Sequence, residues 1–405
     1  MHLTGLLDLV RSTPPYRALL ADLRAGRLRG LPAPASLNVL RSARPYLLAA
    51  LARDWEAPVV YITARIDRAY NVSEQLPVWT GSAAGVYRFA EPAPLFYERS
   101  AWGDSAVRSR IETLAALMPP GDEPISDQHP LVVTSARAVM QRTLPVNQFR
   151  KGSLILKVGA RHAVDKLLDR WLKLGYEPAA MVIEPGTFSR RGGILDIFPL
   201  ASDQPVRIEF FDDEIDSLRH FDPSTQRSTE RIARIGITPA REALPEHTPL
   251  LAAHLRDWFA AQPSGESNMT GAQADATPLE TGSPFPFIEF YLPYLYPNPV
   301  SLLDYAPDDA LIVVEDWFEL RDTIAEIEEN AARAREDKIA AGVLPHDYPQ
   351  PFLGWDALVE ALRAHHLVCL GMDETDALLN GEARGRPNFK TLLAPENRFG
   401  GQLKP

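Results

Sequence analysis

The chain has 405 residues, 45% of them hydrophobic, and a formal net charge of -11, which predicts about two to four domains with a genuine core and argues against a dedicated nucleic-acid binder with a basic footprint. One cysteine, Cys369, excludes an internal disulfide framework and suits a reducing compartment. No run of about 18 apolar residues marks a membrane span, and the N-terminus lacks the basic start and apolar centre of a signal peptide, so the expectation is a cytoplasmic protein without membrane contact.

Residues 15–28 predict an amphipathic helix, and residues 44–55 a second. Residues 57–64 (APVVYITA) read as a buried strand, 85–89 as another, and 130–134 as a third. A helix with Val107, Ile111, Leu114 and Leu117 on one stripe separates the last two, and residues 136–144 continue as a helix. Strands alternating with helices indicate a parallel sheet with helices on its faces. Near Pro145 the pattern changes to one helix, with Val164, Leu167, Leu168, Trp171 and Leu172 along one side, followed by a run of antiparallel strands. Residues 190–222 carry three strand-like segments; the first is apolar apart from Asp196, and the second alternates as Val206-Arg207-Ile208-Glu209-Phe210-Phe211. Such a meander buries one face and leaves the other wet. A wet face holding a cation, an anion and an aromatic ring has the composition of a docking surface. Residues 250–261 are helical, and residues 262–283 are polar and predicted to be a disordered loop. A sheet pattern resumes over residues 287–296 and 310–314, residues 321–341 form a long charged helix, and the last seventy or so residues are expected to form a further small α/β unit. The sequence ends as if cut.

The string RGGILDIFP…VRIEFFDDEID…FDPSTQRS, over residues 191–228, resembles the signature shared by UvrB and the transcription-repair coupling factor (Mfd) family. The resemblance implies a fold: a degenerate P-loop, helicase-like parallel sheet domain (1–147 and 246–320), an inserted small α+β domain (148–245) and a C-terminal small α/β domain (321–405), truncated. It also implies a partner, because in that family the small domain docks onto UvrA. The implied contacts are Arg191, Arg207 and Glu209. Arg190 is a possible substitute for arginines that the family carries where this chain has Pro178 and Ser189, and Phe188 and Phe211 are aromatic neighbours.

The phosphate loop of UvrB corresponds here to residues 30–36, from Gly30 to Ser36, with two prolines and no lysine. Proline removes the N–H donors that a phosphate needs. The acidic pair that would hold magnesium corresponds to Glu315-Asp316, in reversed order and followed by Trp317 and Phe318. No nucleotide, metal or other cofactor is therefore expected. Residues 95–114 run straight into a helix, leaving no room for UvrB's tyrosine-rich DNA hairpin. Both absences resemble the N-terminal UvrB-like module of the coupling-factor family, which recruits UvrA to couple stalled transcription to nucleotide excision repair. In that family RNA polymerase and DNA are engaged through later domains that include an ATP-driven translocase. This chain is thus expected to be non-catalytic. The alternative is a divergent UvrB-type ATPase or helicase subunit. A third possibility is a module that restrains such a motor. His365-His366 and the remaining acids suggest structural roles, and no Cys/His cluster has zinc-ligand spacing.

Overall fold

The computed structural model describes residues 2–30, 34–122, 128–261 and 270–371. Strands β1 (Ala35–Ser36), β2 (Val59–Thr63), β3 (Val86–Phe89) and β4 (Leu131–Ser135) come first, separated by helices that include Arg44–Asp54, Ile66–Thr80 and Asp104–Leu117. Then β5 (Leu154–Lys157) and the helix Val164–Lys173 lead into β6 (Glu177–Pro178), β7 (Thr187–Arg191), β8 (Ile194–Ile197), β9 (Val206–Phe211), β10 (Glu214–Phe221), β11 (Ser228–Ile232) and β12 (Arg234–Ile237). The helix Thr248–Ala261 follows, and β13 (Leu311–Val314), the helix Trp317–Ala340, the helix Trp355–Arg363 and β14 (His366–Cys369) close the described chain.

The protein is mixed α/β. The first sheet is six-stranded and parallel, in the order β1-β14-β13-β2-β4-β3. Its central strands are buried along their whole length, as parallel strands covered by helices on both faces must be. The second sheet has the order β11-β10-β9-β8-β7-β6 and is antiparallel except for the β6–β7 edge, while β12 pairs with β5 as a separate ribbon. The helix Val164–Lys173 lays Leu167 and Trp171 against one face of that sheet. Leu195, Ile197, Val206, Ile208, Ile215 and Leu218, all at most 1% exposed, supply that face. The same hydrophobic cluster runs on into Val60, Ile62 and Val132 of the first sheet, so a continuous core joins the two. Arg110 and Glu242, both essentially unexposed, form an ion pair across this junction, with Nη2–Oε2 3.0 Å. No helix among the described residues is long and apolar enough to cross a membrane.

Three expectations are corrected. Residues 262–283 are not simply a loop: Thr270–Thr281 is a helix whose Leu279 is fully buried and whose Asp275 takes a bidentate contact from Arg99 at 2.7 Å. Few apolar residues mark this helix, and tertiary packing rather than pattern stabilises it; residues 262–269 lie outside the described residues. Residues 287–296 form the 3-10 turn Ile288–Tyr291 and the short helix Leu292–Leu295 instead of a strand, since a buried aromatic run reads equally as either. The last part of the chain does not build a separate sheet, because β14 inserts between β1 and β13 of the first one. Residues 372–405 lie outside the described residues.

Candidate functional site

The second sheet has one face against the helix Val164–Lys173 and one turned away from it, and strand alternation decides which side chain goes where. The register sets Arg191 opposite Ile194 and Ile194 opposite Glu209, which in turn pairs with Ser217. The next row is Ser189, Asp196, Arg207 and Arg219. Arg191, Arg207, Glu209 and Phe211 therefore share the outer face. Arg190 and Phe188 do not. Arg190 points to the helix side, where its Nη1 donates to Asp165 at 2.6 Å. Phe188 is 5% exposed and meets the edge of Trp171 at 5.6 Å. Both are removed from the candidate surface, for the reason that neighbours in a strand face opposite ways.

The four outer residues are held differently. Arg207 is locked: its Nε and Nη2 donate to the two oxygens of Asp196 at 2.8 Å each, its Nη1 donates to Gln226 O at 3.3 Å, and its guanidinium lies 4.9 Å from the Phe221 ring centre. Asp196 itself is 2% exposed. Glu209 accepts from Ser217 Oγ at 2.6 Å and lies 3.9 Å from Arg219. Arg191 is exposed and donates one bond, to Ala180 O at 3.1 Å. Phe211 is 79% exposed at the turn into β10, where Asp212 takes a left-handed φ of 58°. Gly192 (φ 61°) makes the tight β7–β8 turn that aims Arg191. Val182, Phe198 and Phe221 form a small second core under one end of the outer face. Sequence reading missed Asp196, Ser217 and Gln226 as supports of this face, although a lone acid in an apolar strand was a signal for the first.

The other candidate place is the carboxyl edge of the parallel sheet, where α/β folds bind ligands. Residues 30–36 are not the strand-to-helix connection there. Ala35 and Ser36 are β1 itself, residues 31–33 lie outside the described residues, and the connection to the helix Arg44–Asp54 is residues 37–43, without glycine or lysine. Two of its N–H groups are bonded to β14 and the residue after it: Leu37 N–H donates to Cys369 O and Val39 N–H to Leu370 O, both at 2.8 Å. Arg44, 6% exposed, reaches Glu315 at 3.1 Å, and Arg68 reaches the same carboxylate at 3.3 Å and Glu319 at 2.6 Å. Gly371 leaves the room that Arg44 occupies, since a Cβ there would collide with its Nη2. Asp316 caps the helix Trp317–Ala340, its Oδ1 accepting from Glu319 N–H at 3.2 Å. The remaining pocket holds about 190 Å³, below the roughly 300 Å³ at which ligand pockets begin. Among the described residues, no group of three or more His, Cys, Asp or Glu side chains is placed to hold a metal ion.

Residues 154–242, which contain this sheet, match the family described as the UvrB interaction domain. Over 330 residues the chain is 32% identical to the transcription-repair-coupling factor of Mycobacterium tuberculosis, which covers 80% of this chain. The chain is related to the transcription-repair-coupling factors. It is also 29% identical to the Bacillus subtilis factor over 84% of its own length, and 28% identical to the Escherichia coli factor over 73%. It spans about a quarter of the length of these relatives (28%, 26% and 24%).

Proposed function

We propose that this chain is a non-catalytic docking module of the coupling-factor type that recruits UvrA through the outer face of its second sheet. The observation that carries this is the set Arg191, Glu209 and Phe211, presented together on a face whose neighbouring row is fixed by the Arg207–Asp196 pair. An arginine fork that spends one hydrogen bond on a backbone oxygen and keeps its other donors in water suits a partner carboxylate, and an exposed phenyl ring beside it suits an apolar pocket. In whole coupling factors the module would bring UvrA to stalled RNA polymerase, with polymerase and DNA engaged by parts outside this chain. The parallel sheet is read as a degenerate nucleotide-binding frame, a reading supported by the glycine- and lysine-free connection after β1 and by the Arg44–Glu315 pair at the sheet's carboxyl edge.

A titration against purified UvrA tests the reading. Arg191→Glu is expected to weaken binding at least about tenfold, roughly 1.4 kcal/mol, with an unchanged unfolding midpoint. Unaltered affinity would remove the proposal. ATP with magnesium is expected to leave the unfolding midpoint where it is, whereas a ligand bound at 100 times its Kd would add about 2.7 kcal/mol. Such a gain would favour the ATPase reading instead.

A further inference from the structure

Residues 179–186 cross the β7 edge of the outer face and are fastened to it at several points. Ala179 N–H donates to Phe188 O and Gly186 N–H to Phe198 O, both at 2.8 Å. Gln226 Nε2 donates to Val182 O at 3.0 Å, and Arg191 Nη2 donates to Ala180 O at 3.1 Å. Val182 is fully buried against Phe198 and Phe221. With Val182 turned inward, its two neighbours face water: Met181 is 47% exposed and Ile183 53%. A mobile loop could fold such side chains away, but this one is pinned on both sides of them. Apolar groups held in water by a rigid support return nothing to the fold of this chain, and beside a docking face they widen its apolar area.

The geometry points to Met181 and Ile183 as a second, apolar wall of the docking surface, engaging the same partner as Arg191 and Phe211. This rests on the reading given under Proposed function. Arg191 joins the two parts, because it shares the outer face with Phe211 while its guanidinium touches the backbone of the loop. The matching partner surface is a carboxylate flanked by apolar side chains. Met is suited to such a wall because its unbranched thioether adapts to irregular neighbours. Pre-fastening of the loop lowers the ordering cost of binding.

The test is calorimetric titration of UvrA with the full chain, its Met181→Ser/Ile183→Ser variant and its Arg191→Glu variant. The serine pair is expected to raise Kd about tenfold, equivalent to about 1.4 kcal/mol, with no change in unfolding midpoint. Affinity within about twofold of the parent, while Arg191→Glu still weakens binding, overturns this inference and leaves the docking face standing. Failure of both variants to weaken binding overturns both. A readout independent of stability is alkylation of an Ile183→Cys variant, which is selective because Cys369 is fully buried and burial pushes its thiol pKa up to about 12. Saturating UvrA is expected to slow alkylation at least about tenfold by occluding the thiol; an unchanged rate overturns the inference.

Discussion

Arg191 and Arg207 stand on one sheet face, yet their removal should have opposite signatures. Arg191 is exposed and its one hydrogen bond goes to a backbone oxygen, so Arg191→Ala should cost little stability. Arg207 compensates the buried Asp196. Arg207→Ala leaves that carboxylate without its charge-assisted bonds, a loss of about 2 kcal/mol, readable as a lower urea midpoint at unchanged m-value. Asp196→Asn in the same background should recover part of it, since the unpaired charge is gone. Phe211→Ala should leave the midpoint where it is, because 79% of that residue is already in water, and should act on partner affinity alone. A drop in binding with Arg207→Ala therefore needs the stability measurement beside it, whereas one with Arg191→Ala or Phe211→Ala does not.

At the scale of elements, the connection between β1 and the helix Arg44–Asp54 depends on Arg44. Arg44→Ala removes one of the two arginines beside a carboxylate that is 3% exposed and leaves Arg68 in place, so it should cost about 1–3 kcal/mol, measured by denaturant unfolding. Strand β14 carries a pH signature. Burial lowers the imidazole pKa of His365, whose Nδ1 sits 3.2 Å from Pro307 O, and of His366 at the first position of the strand. A folded-state pKa below the unfolded value means that the unfolded chain takes the proton first. Stability from these groups is complete above the ordinary histidine value of 6.5 and is lost as pH falls from there toward the folded values. The unfolding midpoint should decline on acidification across that window, and less steeply in His365→Asn. Some of these elements were legible and some were not. The helix Val164–Lys173 announces itself through Leu167 and Trp171 one turn apart. The β8–β9 alternation gives the outer face, and the same alternation already separates Arg190 from Arg191 once chain neighbours are not taken for surface neighbours. The helix Thr270–Thr281 was hidden because its anchor is an ion pair from Arg99, 176 residues away in sequence. The place of β14 was hidden because an apolar run says that a strand is buried, not between which partners.

For the whole molecule, the inserted sheet and the parallel sheet share one hydrophobic cluster and the buried Arg110–Glu242 pair. Arg241 adds a second tie, reaching Glu289 and Glu177 at 3.2 Å each. Calorimetry should therefore give a single unfolding transition for the chain, and Arg110→Ala should cost about 3–5 kcal/mol with the transition still single, because the hydrophobic cluster and the Arg241 pairs remain. A rigid mounting of this kind suits a handle that must transmit position, because the frame moves with whatever the outer face holds. The proposed docking requires a UvrA contact on the outer face of the second sheet. Hydrogen–deuterium exchange with and without UvrA locates that contact directly: exchange should slow in residues 179–186 and at the turn after Phe211, and elsewhere stay as it was. Protection confined to the parallel sheet's carboxyl edge or the charged face of the helix Trp317–Ala340, with residues 179–186 and 211–214 unchanged, would contradict it.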